Sequence, residues 1–306
     1  MKITKIEALE KIANDIRIGI IDQIYKAQSG HPGGSLSCAD ILAVLYFNQM
    51  NIDPKKPESP QRDRFVLSKG HCSPALYATL ARKGYFDKEA LDGFRKIDSN
   101  LQGHPDMNKV PGVDMTTGSL GQGLSDAVGM AIASKMDSAG CRVYCLLGDG
   151  EIEEGQIWEA AMAASKNHLD NLCVILDYNH LQIDGKVEDV AGLVDVGAKF
   201  ESFGFKVISV DGHNIEQLEN ILKLSKQLDK PVLIHVLTKK GKGYKIAEEN
   251  PDKFHATAPF DIETGKPKKS KKLDYSKVFG KKLVELAKKD NRIVAITASM
   301  KDGTGL

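Results

Sequence analysis

The sequence has 306 residues, of which 42 are basic and 41 are acidic, so its formal net charge at pH 7 is only +1. This balance excludes the strongly basic surface that is typical of a nucleic-acid-binding protein. The longest apolar run, Ile41–Phe47, is too short to span a membrane, and the polar N-terminus lacks the apolar core of a secretory signal. We therefore expect a soluble, cytoplasmic protein.

The five cysteines show no Cys-x-x-Cys spacing. Cys141 and Cys145 lie in one strand-like run and point to the same face, so they are poor disulfide partners. We expect all five cysteines to be reduced.

The first predicted elements are helices. Apolar residues recur at helical spacing from Leu9 to Ile24, and the pattern ends at Gly30. The tetrapeptide Ser37-Cys-Ala-Asp40 has the form of a capping box, which predicts a second helix over Ile41–Phe47.

A short strand and two further helices are predicted next. The apolar run Arg64–Leu67 indicates a buried strand. Ser73 followed by Pro74 predicts an N-cap and a first helical residue, and we expect that helix to end at Gly84. Small residues over Gly121–Lys135 indicate the helix after it.

The centre of the sequence alternates strands with helices. The predicted strands are Arg142–Leu147, Leu172–Leu176, Lys206–Val210 and Val232–Leu237, and the predicted helices are Gly155–Asn167 and Glu216–Leu228. This alternation predicts an α/β fold, in which helices cover both faces of a parallel sheet.

The composition shifts to Lys, Gly and Pro after residue 238, which indicates a linker over residues 239–273. Its most basic part, 266–272, contains no aromatic residues and is interpreted as a solvated linker rather than a nucleic-acid site. Beyond it, Asp274 is expected to cap a helix, and Arg292–Ile296 is predicted to be a strand. One helix and one strand cannot bury a core, so the strand either joins the main sheet or begins an incomplete second domain over 274–306.

Two polar residues follow successive strands of the predicted sheet. Asp149 lies within Gly148-Asp-Gly150, and Asn179 follows the next strand. The carboxyl ends of parallel strands form the usual ligand-binding edge, so we expect these two side chains to converge. Their hard oxygens suit Mg²⁺, and a nearby helix start offers N–H groups to an anion. The pattern predicts a metal–diphosphate site, although Gly-Asp-Gly is also a common turn and the diphosphate could belong to a nucleotide or to another ligand.

The Gly-Asp-Gly…Asn pair resembles the thiamine-diphosphate motif, and the sequence around it resembles the transketolase family. The resemblance is close from Ile6 to Asn179 and looser from Leu181 to Phe260. It rests on the segments Ser29-Gly-His-Pro-Gly-Gly34, Ser68-Lys-Gly-His71, Gly103-His-Pro105, Thr116-Thr-Gly-Ser-Leu-Gly-Gln-Gly123 and Ile183-Asp-Gly185. It implies that residues 1–238 form the domain that binds the cofactor's pyrophosphate.

The resemblance implies a set of site residues around thiamine diphosphate and Mg²⁺, or another divalent cation such as Ca²⁺ or Mn²⁺. The implied metal ligands are Asp149, Asn179 and the Leu181 carbonyl. The implied cofactor contacts are His71, Gly118, Ser119, Leu120, Gly150, Glu151, Asn179, Leu181 and His255. The implied catalytic residues are His31, His104 and His255 around the substrate, and Glu154, which resembles the glutamate that links the two active sites of a dimer.

Histidines suit the implied chemistry because imidazole moves protons near neutral pH. Singly, each of the site histidines could equally be an ordinary hydrogen-bonded residue. We assign only that ordinary role to the remaining four, His168, His180, His213 and His235. A zinc site is a poor alternative, since no two histidines have helical spacing and no cysteine pair accompanies them.

The C-terminal part departs from this pattern. The segments 242–256 and 295–306 resemble deoxyxylulose-phosphate synthase, which makes Tyr244 a candidate cofactor contact. This second resemblance leaves open whether the reaction cleaves a ketose phosphate or consumes pyruvate with glyceraldehyde phosphate.

The chain is also shorter than either family requires. No segment matches the glutamate that activates the cofactor or the arginines that bind substrate phosphate. We therefore expect half of a split transketolase, or a fragment, that is inactive without a second subunit carrying the pyrimidine-binding and C-terminal domains. The expected substrate is a sugar phosphate, and the expected assembly is a homodimer or a heterotetramer. A non-catalytic cofactor-binding or assembly protein is the alternative from another class.

Overall fold

The computed structural model describes residues 4–179, 181–182, 185–186, 195–268, 274–297 and 301–306, with the backbone alone at Leu181, Gln182, Gly185, Lys186 and Asp302. The chain divides into two compact units, Met1–Pro267 and Lys268–Leu306. The predictions at His180 and at Ile183-Asp-Gly185, apart from the backbone of Gly185, lie outside the described residues.

Helices and strands alternate through the first unit. In chain order they are α1 Lys5–Ala27, α2 Pro32–Ser37, α3 Ala39–Val44, β1 Arg64–Leu67, α4 Ser73–Lys83, α5 Gly123–Met136, β2 Val143–Gly148, α6 Gly155–Lys166, β3 Leu172–Tyr178, β4 Leu181–Gln182, β5 Gly185–Lys186, α7 Val196–Ser202, β6 Lys206–Asp211, α8 Ile215–Ser225, β7 Val232–Leu237 and α9 Lys245–Glu249. A π-helical turn over Leu45–Gln49 extends α3.

Five strands form one parallel sheet in the order β1-β2-β3-β7-β6. The register pairs Gly148 at the end of β2 with Asp177 near the end of β3. The predicted α/β fold with a parallel sheet is therefore confirmed, and the carboxyl ends of β1, β2 and β3 meet at one edge.

Both faces of the sheet are buried. Successive side chains of each strand point to opposite sides, and helices pack against each side. On β2, Tyr144 and Leu146 pack into a core that includes residues of α1, α3, α4 and α8. Cys145 and Leu147 pack into a second core with residues of α5, α6 and α7. Helices thus cover both faces, as predicted.

The predicted capping box at Ser37 is wrong. Ser37 is the last residue of α2, and its hydroxyl donates to the Gly34 carbonyl at 2.9 Å and to Asp177 at 2.5 Å. Asp40 lies inside α3 and accepts hydrogen bonds from Arg17. Buried partners distant in sequence use these two side chains, so neither caps the helix.

The next predicted helix has the correct end and a shifted start. Gly84 closes α4 in the left-handed conformation (φ 96°), as expected. Ser73 is the first helical residue instead of the N-cap, because its hydroxyl donates to the Gly103 carbonyl at 2.8 Å.

The stretch predicted to be a linker is largely packed within the first unit. The Gly33 N–H donates to the Phe254 carbonyl, and the Thr257 N–H donates to the Gly30 carbonyl, each at 2.8 Å. The compact unit extends to Pro267. The domain assignment itself stays a prediction.

The second unit contains helix α10, Tyr275–Ala287, and a short helix α11, Lys301–Thr304. Asp274 caps α10 as predicted, by accepting the Lys277 N–H at 2.8 Å. The predicted strand over 292–296 is wrong for this structure, which describes it as irregular. Val294 and Ile296 are 81% and 94% exposed, so no packing favours an extended conformation there.

Two expectations from composition can be compared with the structure. All five cysteines are free and buried, as expected. Among the helices of the described residues, none combines the length and apolar character that a bilayer crossing requires.

Candidate active site

A cavity of about 460 Å³ opens at the carboxyl ends of β1, β2 and β3. Among the described residues that line it, Leu120 has the only apolar side chain, and the rest are glycines or polar residues. The lining consists of His31, Gly34, Lys69, His71, Gly118, Leu120, Gly148, Asp149, Gly150, Glu151, Glu153, Glu154, Asn179, Lys240 and His255. The charged side chains and backbone N–H groups of this lining suit a charged ligand.

Asp149 and Asn179 lie together on the acidic side of this cavity. One Asp149 oxygen accepts the Asn179 backbone N–H at 2.8 Å, and the other accepts the Gly150 N–H at 2.9 Å. The parallel pairing of β2 with β3 brings the two residues into contact across thirty positions of sequence. The structure thus brings together the residues that the strand–Gly-Asp-Gly–helix–strand pattern singled out.

The Asp149 carboxyl has an unusual pKa. Burial and the nearby Asp177 carboxylate raise it to about 6, although the two backbone N–H donors act in the opposite direction. A buried carboxyl that resists ionisation beside a second carboxylate favours a bound cation, which would restore its charge.

Glu151 stabilises the Gly148-Asp-Gly150 turn through its carboxylate. Its carboxylate accepts the Gly148 N–H and the Gly121 N–H, each at 3.0 Å, and also the Ser68 hydroxyl. Glu151 is 3% exposed, and burial raises its pKa. These contacts hold the Gly-Asp-Gly turn against the loop that carries Gly118 and Leu120. The predicted cofactor contact at Glu151 stays a prediction.

Three histidines form a cluster in the lining of the same cavity. The ring centroids of His31 and His71 are 5.3 Å apart, and His255 lies 5.8 Å from both. His31 precedes α2, His71 follows β1, and His255 lies beyond α9. The backbone hydrogen bonds that tie 254–257 to Gly30 and Gly33 explain why His255 reaches residues more than 180 positions earlier.

These three histidines are uncharged at neutral pH. Burial lowers the pKa of His31 and His255 to about 3 and that of His71 to about 4. Neighbouring cations contribute to the lowering, chiefly Lys69 at His71 and Lys240 at His255. Neutral imidazoles can accept protons from hydroxyl groups of a ligand.

Two buried lysines of the cavity were missed by the sequence reasoning. Lys69 is 1% exposed and forms an ion pair with the fully buried Asp177, while also donating to the Gly34 carbonyl at 2.9 Å. Burial opposes its charge, but Asp177 holds the pKa of Lys69 well above the ordinary value. Lys240 is 3% exposed, and burial lowers its pKa. Lys69 lies two residues after the end of β1, and Lys240 lies three residues after the end of β7. This position, just beyond the carboxyl end of a strand, is the sequence signal that could have identified both lysines.

The remaining predicted residues take different places. Glu154 lines the cavity and is exposed. His104 packs against Gly118, and Ser119 is exposed beside the cavity without lining it. Tyr244 donates its hydroxyl to the Ile262 carbonyl at 2.6 Å and is not among the lining residues described here.

Leu181 is described only by its backbone, which pairs with Lys186. No described contact places its carbonyl relative to the cavity. Arg95 was also missed: it donates to the Ser29 hydroxyl at 2.7 Å and lies 3.4 Å from His31 Nδ1.

The donor set fits a diphosphate held through a divalent cation. Within the described residues, no group of three or more His, Cys, Asp and Glu side chains is arranged to hold a metal by itself. Mg²⁺ needs no such group, because it commonly takes one or two carboxylates and completes its shell with phosphate oxygens and water. Asp149 and Asn179 would supply the protein oxygens, and Lys240 with the three histidines faces the space left for the phosphates.

A family model described as "Transketolase, thiamine diphosphate binding domain" matches residues 8–282. The chain belongs to the transketolase family. It is 48% identical over 241 residues to the "6-deoxy-6-sulfo-D-fructose transketolase subunit SqwG" of Clostridium sp. (strain MSTE9), an alignment that covers 78% of this chain and 88% of that protein. It is 44% identical over 248 residues to an apulose-4-phosphate transketolase subunit of Phocaeicola vulgatus, covering 80% of this chain and 87% of that protein.

The fold is also that of solved transketolases. The transketolase of Campylobacter jejuni superposes with a TM-score of 0.79 at 38% identity, over 84% of this chain and 41% of that one. The chain therefore spans about two fifths of that transketolase. The expected family membership is confirmed. The second resemblance, of the C-terminal part to deoxyxylulose-phosphate synthase, is not shown by these comparisons.

Proposed function

We propose that this chain is the cofactor-binding subunit of a transketolase, which transfers a two-carbon ketol unit between sugar phosphates with thiamine diphosphate and a divalent cation, Mg²⁺ in the first instance. The observation that carries the proposal is the cavity itself. Its lining combines Asp149 and Asn179 with three neutral histidines and Lys240 at the edge of a parallel sheet, which supports a site for a metal-bound diphosphate.

Each side of the cavity has its own task in this proposal. Asp149 and Asn179 hold the cation, and Gly148 and Gly150 leave room for the diphosphate beside them. Lys240 offsets the charge of the phosphates.

Thiamine diphosphate, when bound, supplies the electron sink that allows a carbon–carbon bond beside a carbonyl to break. His31 and His255 accept hydrogen bonds from the hydroxyl groups of the sugar, since their rings are uncharged at neutral pH. They exchange protons with these groups once the negative charge of the bound diphosphate raises their pKa. His71, whose ring centroid lies 5.3 Å from that of His31 and 5.8 Å from that of His255, orients the diphosphate. His104 completes the substrate side from its position behind Gly118.

A second polypeptide is part of the proposal. The two relatives named above are transketolase subunits, and they match this chain over most of their own length. We infer that a partner chain supplies the groups that grip the pyrimidine ring and the substrate phosphate, and that the assembled enzyme is a heterotetramer. The cytoplasmic location expected from composition stays a prediction.

The test is a ketol-transfer assay with thiamine diphosphate and Mg²⁺, run on this chain alone and on the chain mixed with a candidate partner subunit. We expect turnover only in the mixture. Turnover by the chain alone would contradict the partner requirement. Release of CO₂ from pyruvate by the mixture, without ketol transfer, would favour the deoxyxylulose-phosphate-synthase alternative.

A non-catalytic role predicts a different result. A cofactor-binding or assembly protein would bind thiamine diphosphate, or the partner, without any turnover in the mixture. Turnover in the mixture distinguishes the two functions. If it is seen, replacement of His31 and His255 by alanine should abolish it while leaving assembly with the partner intact.

A further inference from the structure

Lys240 reaches the cavity from a short irregular segment, Thr238–Tyr244, that joins β7 to α9. Its side chain is 3% exposed and passes beside Gly33, where an added Cβ would lie 3.1 Å from Lys240 Cγ. The segment contains no helix or strand of its own. Two internal turn bonds, from the Lys242 N–H to the Lys239 carbonyl and from the Tyr244 N–H to the Gly241 carbonyl, shape the segment, and contacts with other segments hold it in place.

His213, in the loop between β6 and α8, contacts the residue next to Lys240. The Lys239 backbone N–H donates to His213 Nε2 at 2.9 Å. A backbone N–H can only donate, so Nε2 must carry a lone pair, and the ring proton must lie on Nδ1. That nitrogen faces the Asp40 carboxylate at 2.8 Å. Both ring nitrogens are therefore used, each in a defined role.

Asp40 is buried between His213 and Arg17. Arg17 donates to one Asp40 oxygen at 3.1 Å and, through its second terminal nitrogen, to the other. A third donor, the N–H at Arg17 Nε, reaches the Lys242 carbonyl at 3.1 Å. One carboxylate on α3 thus anchors the backbone on both sides of Lys240, through His213 at residue 239 and through Arg17 at residue 242.

The backbone of the segment is shaped to accept these contacts. Gly241 (φ 80°) donates its N–H to the Gly33 carbonyl at 3.0 Å, and Gly243 (φ 89°) lets Arg17 approach so closely that an added Cβ would lie 2.7 Å from Arg17 Cδ. Left-handed conformations with so little space require glycine at both positions.

We propose that His213 is a positioning residue for the active site, and that it holds Lys240 toward the bound diphosphate by fixing the Lys239 amide against the Asp40–Arg17 pair. His213 is not among the residues that line the cavity. The part of this inference that concerns the diphosphate rests on the proposed function, whereas the part that concerns the backbone of Thr238–Tyr244 does not.

Three substitutions separate the two ring nitrogens. The amide of a glutamine can replace Nε2 as the acceptor for the Lys239 N–H, whereas the shorter asparagine can replace only the donor toward Asp40. His213→Leu removes both. The exposed His168→Gln is the control for a histidine substitution elsewhere on the surface.

Two readouts are needed. Hydrogen–deuterium exchange of the Thr238–Tyr244 segment, measured without cofactor, reports on the backbone. We expect about fivefold or faster exchange at the Lys239 amide in His213→Asn and His213→Leu, and near wild-type exchange in His213→Gln and in the control. Calorimetric titration with thiamine diphosphate and Mg²⁺ reports on the site, and we expect the dissociation constant to rise about tenfold in the first two variants only.

The outcomes distinguish this inference from the proposed function. Wild-type exchange at the Lys239 amide in His213→Asn would overturn the positioning role, as would faster exchange without any change in affinity. If wild-type chain does not bind thiamine diphosphate while the exchange pattern is as expected, the proposed function fails and the backbone role of His213 stands. Failure of His213→Leu to fold leaves the comparison of asparagine with glutamine decisive.

Discussion

The acidic and basic sides of the cavity are built in different ways. The acidic side consists of Asp149, Asn179 and Glu151, which follow the ends of the neighbouring strands β2 and β3. Backbone N–H groups of this edge donate to its carboxylates: the Asn179 N–H to Asp149, and the Gly148 N–H to Glu151. The basic side, with His31, His71, His255 and Lys240, is assembled from loops far apart in sequence. The pairing of the strands therefore determines where Asp149 and Asn179 lie, and the packing of the loops determines where the histidines and Lys240 lie.

The buried pair of Lys69 and Asp177 lies between the two sides, and its disruption is expected to have the largest effect. Lys69→Met leaves the Asp177 carboxylate buried without its cation, so we expect the free energy of unfolding to fall by about 3–5 kcal/mol. Urea denaturation measures this. The control is Lys135→Met, which removes an exposed pair with Asp170 and should cost less than about 1 kcal/mol. Equal losses in the two variants would show that burial does not make the Lys69–Asp177 pair more important for stability than an exposed pair.

Acidification is expected to weaken the basic side next. The unfolded pKa of histidine is about 6.5, and the folded values of about 3 to 4 mean that only the unfolded chain gains these protons as the pH falls below 6.5. Each of the three histidines should therefore lower stability by about 1.4 kcal/mol per pH unit until the pH approaches its folded pKa. Asp149 acts in the opposite direction between pH 6 and 4, because its folded pKa is raised.

The measurement is the free energy of unfolding of wild type and His255→Asn from pH 7 to 4. Below pH 6, the free energy of unfolding of the variant should fall by about 1.4 kcal/mol per pH unit less than that of wild type, because one of the three histidines is absent. Parallel curves for the two proteins would mean that His255 is not neutral in the folded chain.

A smaller effect should follow from adding a side chain at Gly118, which lines the cavity. Gly118 has φ 149°, and an added Cβ would lie 3.0 Å from His104. We expect Gly118→Ala to cost about 1–2 kcal/mol in stability and to weaken cofactor binding. Gly129→Ala is the matched control, since no atom lies near its Cβ position on α5 and alanine there should stabilise the chain by about 0.5–1 kcal/mol. Stability in Gly118→Ala that matches or exceeds that of wild type would show that the loop tolerates the side chain.

The difference between the acidic and basic sides also explains which site residues could be predicted from the sequence. Strand periodicity and the thirty-residue spacing located Asp149 and Asn179 because a parallel sheet converts sequence order into spatial position. Family resemblance was needed for His31, His71 and His255, whose grouping depends on loop packing that no local pattern encodes. Lys240 and the role of His213 were missed, because hydrogen bonds between segments 26 or more residues apart place them.

The errors in the fold have the same origin. Ser37 and Ser73 look like helix caps in the sequence, but buried carbonyl and carboxylate partners on other segments take their hydroxyls. The predicted strand at 292–296 has the right composition, yet a strand also needs neighbours, and its apolar side chains are exposed.

The central claim is that the acidic side holds a divalent cation on which the diphosphate depends. Calorimetric titration of the chain with thiamine diphosphate, with and without Mg²⁺, tests it most directly when wild type is compared with Asp149→Ala. We expect wild type to bind tightly only with Mg²⁺, and Asp149→Ala to lose about 100-fold or more in affinity and all dependence on the metal. Unchanged affinity in the variant, or binding by wild type that is indifferent to Mg²⁺, would contradict the account.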